Sequence, residues 1–315
     1  MTCIVVHGGA GTYSPGAEHE KALVAACREA ARVLASGASA CDAAVAATVL
    51  MEDAPVLNAG YGSSLNLDGN VENDAAIMLD DMSCGSVAAL HGFANPILAA
   101  RLVMERTDHV LLAGEGADAF ARRMGLAERD QRSPDRVARY RKARAKLERG
   151  EDIHFMPRLG AIYDELRSDP GSADRDPESG TVGIVVRDAH GALAAASSTG
   201  GMMLKLPGRV GDTGVIGAGT YCDCRGGASA TGHGEPVIRH GMGRTLVEAF
   251  GEMGATGAME RVMRTACNES FEFGLIGIDA AGEVAIGYST QAMSWAVLEG
   301  ETPRTFLSHP IPRST

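Results

Sequence analysis

The chain has 315 residues, of which 45% are hydrophobic and 22% charged, a balance typical of a soluble globular protein. Its formal net charge of -11 argues against nucleic acid as a partner, because phosphate binding needs a basic surface. No apolar run approaches the roughly 20 residues that span a bilayer, and the first residues lack signal-peptide features, so we expect a cytoplasmic protein with no membrane partner.

The first part of the chain predicts a strand followed by helices and glycine loops. Residues 3–6 are a short apolar strand, which His7 and the glycines after it should end. Three helices follow: 18–34 from its apolar spacing, 40–52 from the capping residue Ser39, and 96–106 from Pro96 in its first turn.

A polar segment then divides the chain. Residues 168–180 are rich in Asp, Ser, Gly and Pro, and we predict a flexible linker over 166–180. Strands are predicted at 181–186, 192–198, 215–221, 228–231, 273–279, 283–288 and 294–298, and helices at 236–250 and 258–268. This order fits an α+β fold in which two antiparallel sheets pack face to face with helices outside.

Thr181 follows the linker directly and begins a predicted core strand. If the Gly180–Thr181 bond is cut, Thr181 carries a free α-amine, with a pKa of about 7.7 to 8.0, beside its hydroxyl. Such an amine can accept the hydroxyl proton, which is the arrangement of an N-terminal threonine nucleophile. Because a Gly-Thr pair more often marks an ordinary strand start, the interpretation depends on neighbouring motifs.

Two of these motifs concern the nucleophile and an amino-acid head group. Thr199 ends the second hairpin strand, where its hydroxyl can reach that of Thr181, although bonding to the turn backbone is the simpler alternative. Arg209 and Asp212 lie in P-G-R-V-G-D, where a guanidinium suits an α-carboxylate and a carboxylate suits an α-ammonium. A local ion pair, contributing about 0 to 1 kcal/mol, explains Arg209 and Asp212 equally well.

A third motif, T-G-H-G-E, begins at Thr231 between a strand and a helix. Backbone N–H groups and the Thr231 hydroxyl can stabilise an oxyanion here, although a plain glycine turn is the simpler alternative. An N-terminal threonine needs no separate base, so we place His233 in the wall of the pocket.

These motifs together resemble the plant-type L-asparaginase / isoaspartyl aminopeptidase family of N-terminal nucleophile hydrolases. The resemblance extends over most of the chain, and several motifs in one order are more specific than any one of them. The shared motifs are HGGAG at His7, NAGYG at Asn58, NPILAARLVME at Asn95, GEGA at Gly114, GTVG at Gly180, STGG at Ser198, KLPGRVGD at Lys205, GAGTY at Gly217 and TGHGE at Thr231.

The resemblance implies a four-layer αββα sandwich of the N-terminal nucleophile hydrolase type. It implies one domain over 1–315 that cleaves itself into an alpha subunit, 1–180, and a beta subunit, 181–315, which stay together as a dimer of heterodimers. The implied enzyme releases L-aspartate from L-asparagine and β-aspartyl (isoaspartyl) dipeptides. No cofactor is required for this chemistry.

Matched residue by residue, the resemblance also implies roles within the site. The cleavage site is Gly180–Thr181, the catalytic group is Thr181, Thr199, Thr231, Gly232 and Asn58, and the substrate-binding group is Arg209, Asp212, Gly232, Gly234 and His233. A structural sodium ion, held in some members by backbone carbonyls, corresponds here to Met51, Glu52, Leu57, Ala59 and Tyr61.

Two departures from the family pattern concern the leaving group. Residues 202–204 read Met-Met-Leu instead of Met-Thr-Asn, and His233 stands where many members have threonine. The alternatives are therefore an isoaspartyl dipeptidase with little asparaginase activity, or an amidase acting on glycosylated asparagine. The latter ranks lower, because the tryptophan before the P-G-R run is missing. An uncut, non-catalytic binding protein is the most distant alternative.

Other classes of protein fit less well. A dinucleotide-binding loop after the first strand would need a third glycine where Ser14 stands. A zinc site would use Cys222, Cys224, His233 and His240, but a single cysteine pair without a second cluster favours reduced thiols. A serine hydrolase would need a G-x-S-x-G motif, which the sequence lacks.

Overall fold

The computed structural model of the protein describes residues 1–149, 156, 158–159, 180–311 and 314. The predicted linker at 166–180 lies outside the described residues, except for Gly180. The described residues form a mixed α+β fold in which helices pack on two β-sheets, as the order of predicted elements indicates.

The larger sheet places the strand that follows Thr181 between two other strands. This strand, β5 (Val182–Arg187), pairs antiparallel with β1 (Cys3–Gly11) and with β6 (Leu193–Thr199). Towards one edge the sheet continues from β1 to β11 (Ala292–Leu298) and β12 (Arg304–Thr305), and towards the other from β6 to β2 (Asn73–Leu79), β3 (Cys84–Leu90) and β4 (Leu111–Ala113). β3 and β4 run parallel, so the expectation of purely antiparallel sheets is wrong at this edge.

The smaller sheet is antiparallel and packs against the larger one. Its order is β10 (Val284–Tyr288), β9 (Phe273–Asp279), β8 (Gly226–Gly232) and β7 (Thr220–Asp223). β5 and β6 contact β8 across the interface between the sheets. A Cβ atom on Gly227 would lie 2.8 Å from the Val185 side chain, so the glycine lets the two sheets approach closely.

Helices cover the outer face of each sheet. On the larger sheet, α1 (Ala17–Ala35) contacts β1 and β11, α2 (Ala40–Asp53) contacts β5 and β6, and α3 (Pro96–Arg106) contacts β2 and β3. The predicted cap is confirmed, because the Ser39 hydroxyl accepts the Asp42 N–H at 3.1 Å. The remaining described helices are α4 (Gly114–Arg123), α5 (Pro134–Leu147), α6 (Gly234–His240) and α7 (Met242–Glu269), of which α7 packs on all four strands of the smaller sheet.

Three predicted boundaries are wrong for identifiable reasons. β1 does not end at residue 6; it continues through the glycines, because β11 pairs with it on both sides of a register shift between His7 and Ala10. Residues 215–221 form a strand only from Thr220, after a 3₁₀ turn at Asp212–Gly214. The predicted helices at 236–250 and 258–268 divide instead at Gly241, whose φ is 55°, and α7 is only kinked at Gly254, whose φ is 66°.

None of the helices within the described residues combines the length and the apolar character needed to cross a membrane.

Candidate active site

Thr181 lies buried between Gly180 and β5, with only 5% of its surface exposed. Its backbone N–H donates a hydrogen bond to the Thr231 hydroxyl at 2.9 Å. Its own hydroxyl lies 3.3 Å from the Thr213 hydroxyl oxygen. Two other threonines therefore hold the nitrogen and the oxygen of Thr181, which are the two atoms that an N-terminal threonine uses in catalysis.

Thr199 is close to Thr181 along the sheet but has another hydrogen-bond partner. Val182 pairs with Ser198, and continuing this antiparallel register places Thr199 opposite Thr181, as the hairpin predicts. The Thr199 hydroxyl, however, accepts the Gly201 N–H at 3.0 Å. The predicted Thr199–Thr181 bond is not among the hydrogen bonds of the described residues.

The hydroxyl that does reach Thr181 belongs to Thr213, which our interpretation of the sequence missed. Thr213 lies in the 3₁₀ turn at Asp212–Gly214 and is fully buried. The available signal was its position directly after Asp212, one residue beyond the R-V-G-D motif. The turn therefore connects the predicted nucleophile to a predicted substrate-binding carboxylate through adjacent residues.

Two glycines pack against each other at the predicted cleavage site. Gly9 in β1 has a φ of 124°, and a Cβ atom there would lie 3.0 Å from the Gly180 Cα. A Cβ atom on Gly180 would lie 2.9 Å from the Gly9 Cα. Side chains at either position would separate the two backbones, so the pair of glycines allows β1 to contact the residue before Thr181 directly.

Arg209 pairs with Glu235, a carboxylate that neither interpretation of the sequence considered. Its Nε and Nη2 atoms donate to the two Glu235 carboxylate oxygens at 3.0 and 2.9 Å. The alternative of a local ion pair between Arg209 and Asp212 is therefore not what the hydrogen bonds show. A bidentate bond to Glu235 demonstrates that the guanidinium presents its planar edge to a carboxylate in this site.

The Asp212 carboxylate is buried, and one of its two oxygens is unpaired within the described residues, which is what we call the open carboxylate of Asp212. Only 4% of the residue is exposed, and Oδ2 has no hydrogen-bond partner within the part of the chain that the structure describes. Burial raises the pKa of Asp212 to about 7, while the nearby Arg209 charge acts in the opposite direction. A buried polar atom of this kind calls for a partner, and an ammonium group would supply one.

The absence of a side chain at Gly234 leaves room beside Arg209 and Asp212. A Cβ atom at Gly234 would lie 2.7 Å from Asp212 Oδ1 and 3.1 Å from Arg209 Nη2. Any side chain there would therefore crowd both charged groups. Gly234 begins α6, so the helix start, Arg209 and Asp212 share one small volume.

The rest of T-G-H-G-E forms a tight turn between β8 and α6. Gly232 has a φ of 113°, and a Cβ atom there would lie 2.7 Å from the Phe273 Cα, so glycine is required. The next residue, His233, occupies the N-cap position of α6 without a side-chain capping bond, and its Nε2 lies 3.3 Å from Glu235 Oε2. His233 therefore lies beside the Arg209–Glu235 pair at the edge of the site.

Asn58 supports the S-T-G-G turn through both ends of its amide. Its Nδ2 donates to the Gly201 carbonyl at 2.7 Å, and its Oδ1 accepts the Ser64 N–H at 2.7 Å. The Asn58 carbonyl also accepts the Gly200 N–H at 3.1 Å. The predicted oxyanion donor is thus already engaged in holding the backbone next to Thr199.

Residues 202–204, which we placed near the leaving group, include core side chains. Met203 and Leu204 belong to a buried cluster with Leu65 and Leu147, away from open surface. Of the two departures from the family pattern, His233 is therefore the one that borders Arg209 and Glu235.

The predicted sodium loop comprises the last turn of α2, with Met51 and Glu52, and the tightly folded backbone after it. The carbonyl of Met51 accepts the Ala54 N–H at 3.3 Å, and that of Ala59 accepts the Gly62 N–H at 3.0 Å. Carbonyl oxygens are ligands suited to hard cations, so the donor type fits, although two of these carbonyls already accept hydrogen bonds. No group of three His, Cys, Asp or Glu side chains in the described ranges is placed to hold a metal ion.

Comparison with known proteins identifies relatives over nearly the whole chain. A family model described as asparaginase matches residues 1–307. A plant-type L-asparaginase from Pyrococcus horikoshii is 41% identical over 312 residues, covering 95% of this chain and 97% of that protein. An isoaspartyl peptidase/L-asparaginase from Rattus norvegicus is 38% identical over 304 residues, covering 94% and 86% respectively.

Proposed function

Because the chain belongs to the asparaginase family, we propose that it is a threonine hydrolase that releases L-aspartate from L-asparagine and β-aspartyl dipeptides. One observation carries this proposal. Both the nitrogen and the hydroxyl of Thr181 are held by threonine hydroxyls, and one of those threonines, Thr213, adjoins the open carboxylate of Asp212. In this proposal, the turn at Asp212–Gly214 therefore carries both the hydroxyl next to the nucleophile, from Thr213, and a carboxylate for the substrate ammonium, from Asp212.

The first step of the proposal is self-cleavage before Thr181. The Thr181 hydroxyl oxygen attacks the Gly180 carbonyl, the C–N bond breaks, and the nitrogen takes up the proton. Water then hydrolyses the resulting ester, which frees the Gly180 carboxylate and restores the hydroxyl. The contact between Gly9 and Gly180 supports this step, because it fixes the backbone beside the scissile bond.

The products would be subunits 1–180 and 181–315, which stay associated. β5 of the second part lies between β1 of the first part and its own partner β6, so both parts share one sheet. The contacts of the two sheets with each other and with their covering helices support a four-layer αββα arrangement. A dimer of these heterodimers and a sodium ion bound at 51–61 complete the proposal.

In the amidase reaction, the free Thr181 amine takes the hydroxyl proton and the oxygen attacks the β-carbonyl of the substrate. Thr231 and the turn at Gly232 stabilise the oxyanion. Ammonia or an amine leaves with the proton, and water hydrolyses the acyl-enzyme to L-aspartate. The α-carboxylate binds Arg209 and the α-ammonium binds Asp212, so only the β-carbonyl faces the nucleophile.

The proposal is tested with L-asparagine and a panel of β-aspartyl dipeptides that differ in the second residue. We expect release of L-aspartate from β-linked compounds and none from α-aspartyl dipeptides, in which the α-carboxylate is blocked. The ratio of L-asparagine to dipeptide turnover separates an asparaginase from an isoaspartyl dipeptidase, and a glycosylated asparagine tests the third alternative. A purified protein that binds these compounds without releasing L-aspartate would be a binding protein instead.

The pKa of Asp212 leads to a prediction for the pH dependence. Protonation of this carboxyl below about pH 7 removes the partner of the substrate ammonium, so kcat/KM for L-asparagine should fall with decreasing pH. Each ionisation that activity requires lowers kcat/KM roughly tenfold per pH unit below its pKa. On the acid side, kcat/KM should therefore fall more steeply in the wild type than in Asp212→Asn, by that factor per pH unit. Profiles of kcat/KM from pH 5 to 8 test this, and parallel limbs would contradict it.

A further inference from the structure

Asp74, in β2, is fully buried and lies under the loop that carries Arg209 and Asp212. Its Oδ2 accepts the N–H of Gly211, the residue before Asp212, at 3.0 Å. A Cβ atom at Gly214, the last residue of the 3₁₀ turn, would lie 3.6 Å from the Asp74 Cβ. Asp74 therefore holds the backbone before Asp212 by a hydrogen bond, and its side chain lies on the side of Gly214 where a Cβ atom would be.

The other carboxylate oxygen of Asp74 is also engaged. Oδ1 accepts the Ala89 N–H at 2.9 Å. Ala89 has a φ of 48°, a backbone conformation that costs about 1 kcal/mol or more for a residue other than glycine. The carboxylate thus joins a strained position in β3 to the substrate-binding loop, with one oxygen bonded to each.

The beginning of the same loop is fixed separately. Gly208 donates its N–H to Glu72 Oε1 at 2.9 Å, and the buried Lys205 ammonium donates to the Glu72 carbonyl at 2.9 Å. Glu72 therefore holds residues before Arg209, whereas Asp74 holds residues after it. Only the Asp74 contact lies next to the open Asp212 carboxylate and the Thr213 hydroxyl.

We propose that Asp74 is a positioning residue for the amino-acid binding site: it holds Gly211 so that Asp212 and Thr213 keep their places relative to Thr181. The inference rests on the proposed function. Asp74 does not touch substrate; it acts through a backbone N–H in the next part of the chain. Because the acceptor is in 1–180 and the donor in 181–315, the contact would also join the two subunits after cleavage.

The test is Asp74→Asn, which keeps the shape of the side chain but replaces one acceptor oxygen with N–H donors. Loss of a hydrogen bond to a charged group corresponds to a loss of affinity of about tenfold or more. We expect KM for L-asparagine to rise by that factor while kcat falls less. In the Asp212→Asn background the same substitution should add little, because residues that act together are not additive. Self-cleavage should proceed.

Asp279→Asn is the matched control. Asp279 is a buried carboxylate whose Oδ1 accepts the N–H groups of Gly282 and Glu283, both at 2.9 Å. It pairs with Gly226, at the opposite end of β8 from Thr231. Because one oxygen accepts both bonds, asparagine can keep them while it removes the buried negative charge. Asp279→Asn therefore controls for loss of a buried carboxylate charge away from the site, and KM should stay at the wild-type value.

Binding of L-aspartate, measured by calorimetry, separates failure of this inference from failure of the proposed function. If the wild type binds L-aspartate without amidase activity, weaker binding by Asp74→Asn still supports the positioning role. Equal KM and equal L-aspartate affinity in the wild type and Asp74→Asn would overturn it. If Asp74→Asn does not fold, Asp74→Ser enters the same assays. Failure of both to give folded protein would make Asp74 structural and would also overturn the inference.

Discussion

Replacing Thr181 with alanine is expected to give one uncut chain of 315 residues that releases no L-aspartate. Alanine lacks the oxygen that attacks Gly180 and, later, the substrate. Removing a covalent nucleophile costs about 10⁴-fold or more in other hydrolases, and here the same change also prevents formation of the amine. Gel electrophoresis and an L-aspartate assay give both readouts from one preparation.

Two substitutions serve as controls for Thr181→Ala. Thr181→Ser keeps a hydroxyl and an amine, so it should be cut and retain part of the activity. Thr48→Ala removes another buried threonine hydroxyl, but that hydroxyl only bonds the Ala44 carbonyl within α2, so cleavage and activity should be kept. A Thr181→Ala protein that is cut before residue 181, or that keeps activity, would refute the assignment.

The second large effect is expected for Arg209→Ala, which should raise KM for L-asparagine roughly 30-fold or more. Truncating one partner of a hydrogen-bonded charge pair typically costs about 2 to 5 kcal/mol of binding free energy. Glu235 occupies the Nε and Nη2 edge of Arg209, so the substrate carboxylate would share the guanidinium with Glu235 or replace it. Steady-state kinetics should show this loss mainly in KM, since Arg209 holds the part of the substrate that does not react.

Arg209→Lys and Arg225→Ala test whether the effect belongs to the guanidinium fork. Lysine keeps the charge of Arg209 but cannot bind two carboxylate oxygens in parallel, so KM should lie between the values for the wild type and Arg209→Ala. Arg225 also holds a carboxylate, that of Asp223, but at the far end of β7 and β8. Arg225→Ala should leave KM unchanged. Unchanged kinetics in Arg209→Ala would remove its proposed role.

The sequence predicts most helices and strands because their periodicity and caps are local properties. It fails where pairing with distant segments overrides local composition. The glycines after His7 look like the end of a strand, yet β11, from the far end of the chain, pairs with β1 again at Ala10 and Gly11, beyond a register shift at Gly8 and Gly9. The helix boundary at Gly241 likewise depends on a left-handed conformation that glycine permits but does not require.

The candidate site shows the same division between local and distant information. The family resemblance is confirmed by the family match and the relatives, and the motifs predict Thr181, Arg209 and Asp212 as residues for this chemistry. The motifs do not predict which side chains form hydrogen bonds with each other. Thr213 instead of the predicted Thr199 lies next to the Thr181 hydroxyl. Arg209 pairs with Glu235, whereas the alternative interpretation paired it with Asp212. Side-chain direction is set by turns that the sequence pattern does not specify.

Scission before Thr181 is the step on which the proposed chemistry depends most, and sequencing the amino termini of purified, active protein tests it directly. We expect two termini, one of which reads Thr-Val-Gly-Ile-Val-Val from residue 181, together with a separate chain that ends at Gly180 by mass. Active protein in which no terminus at residue 181 can be detected would contradict the account.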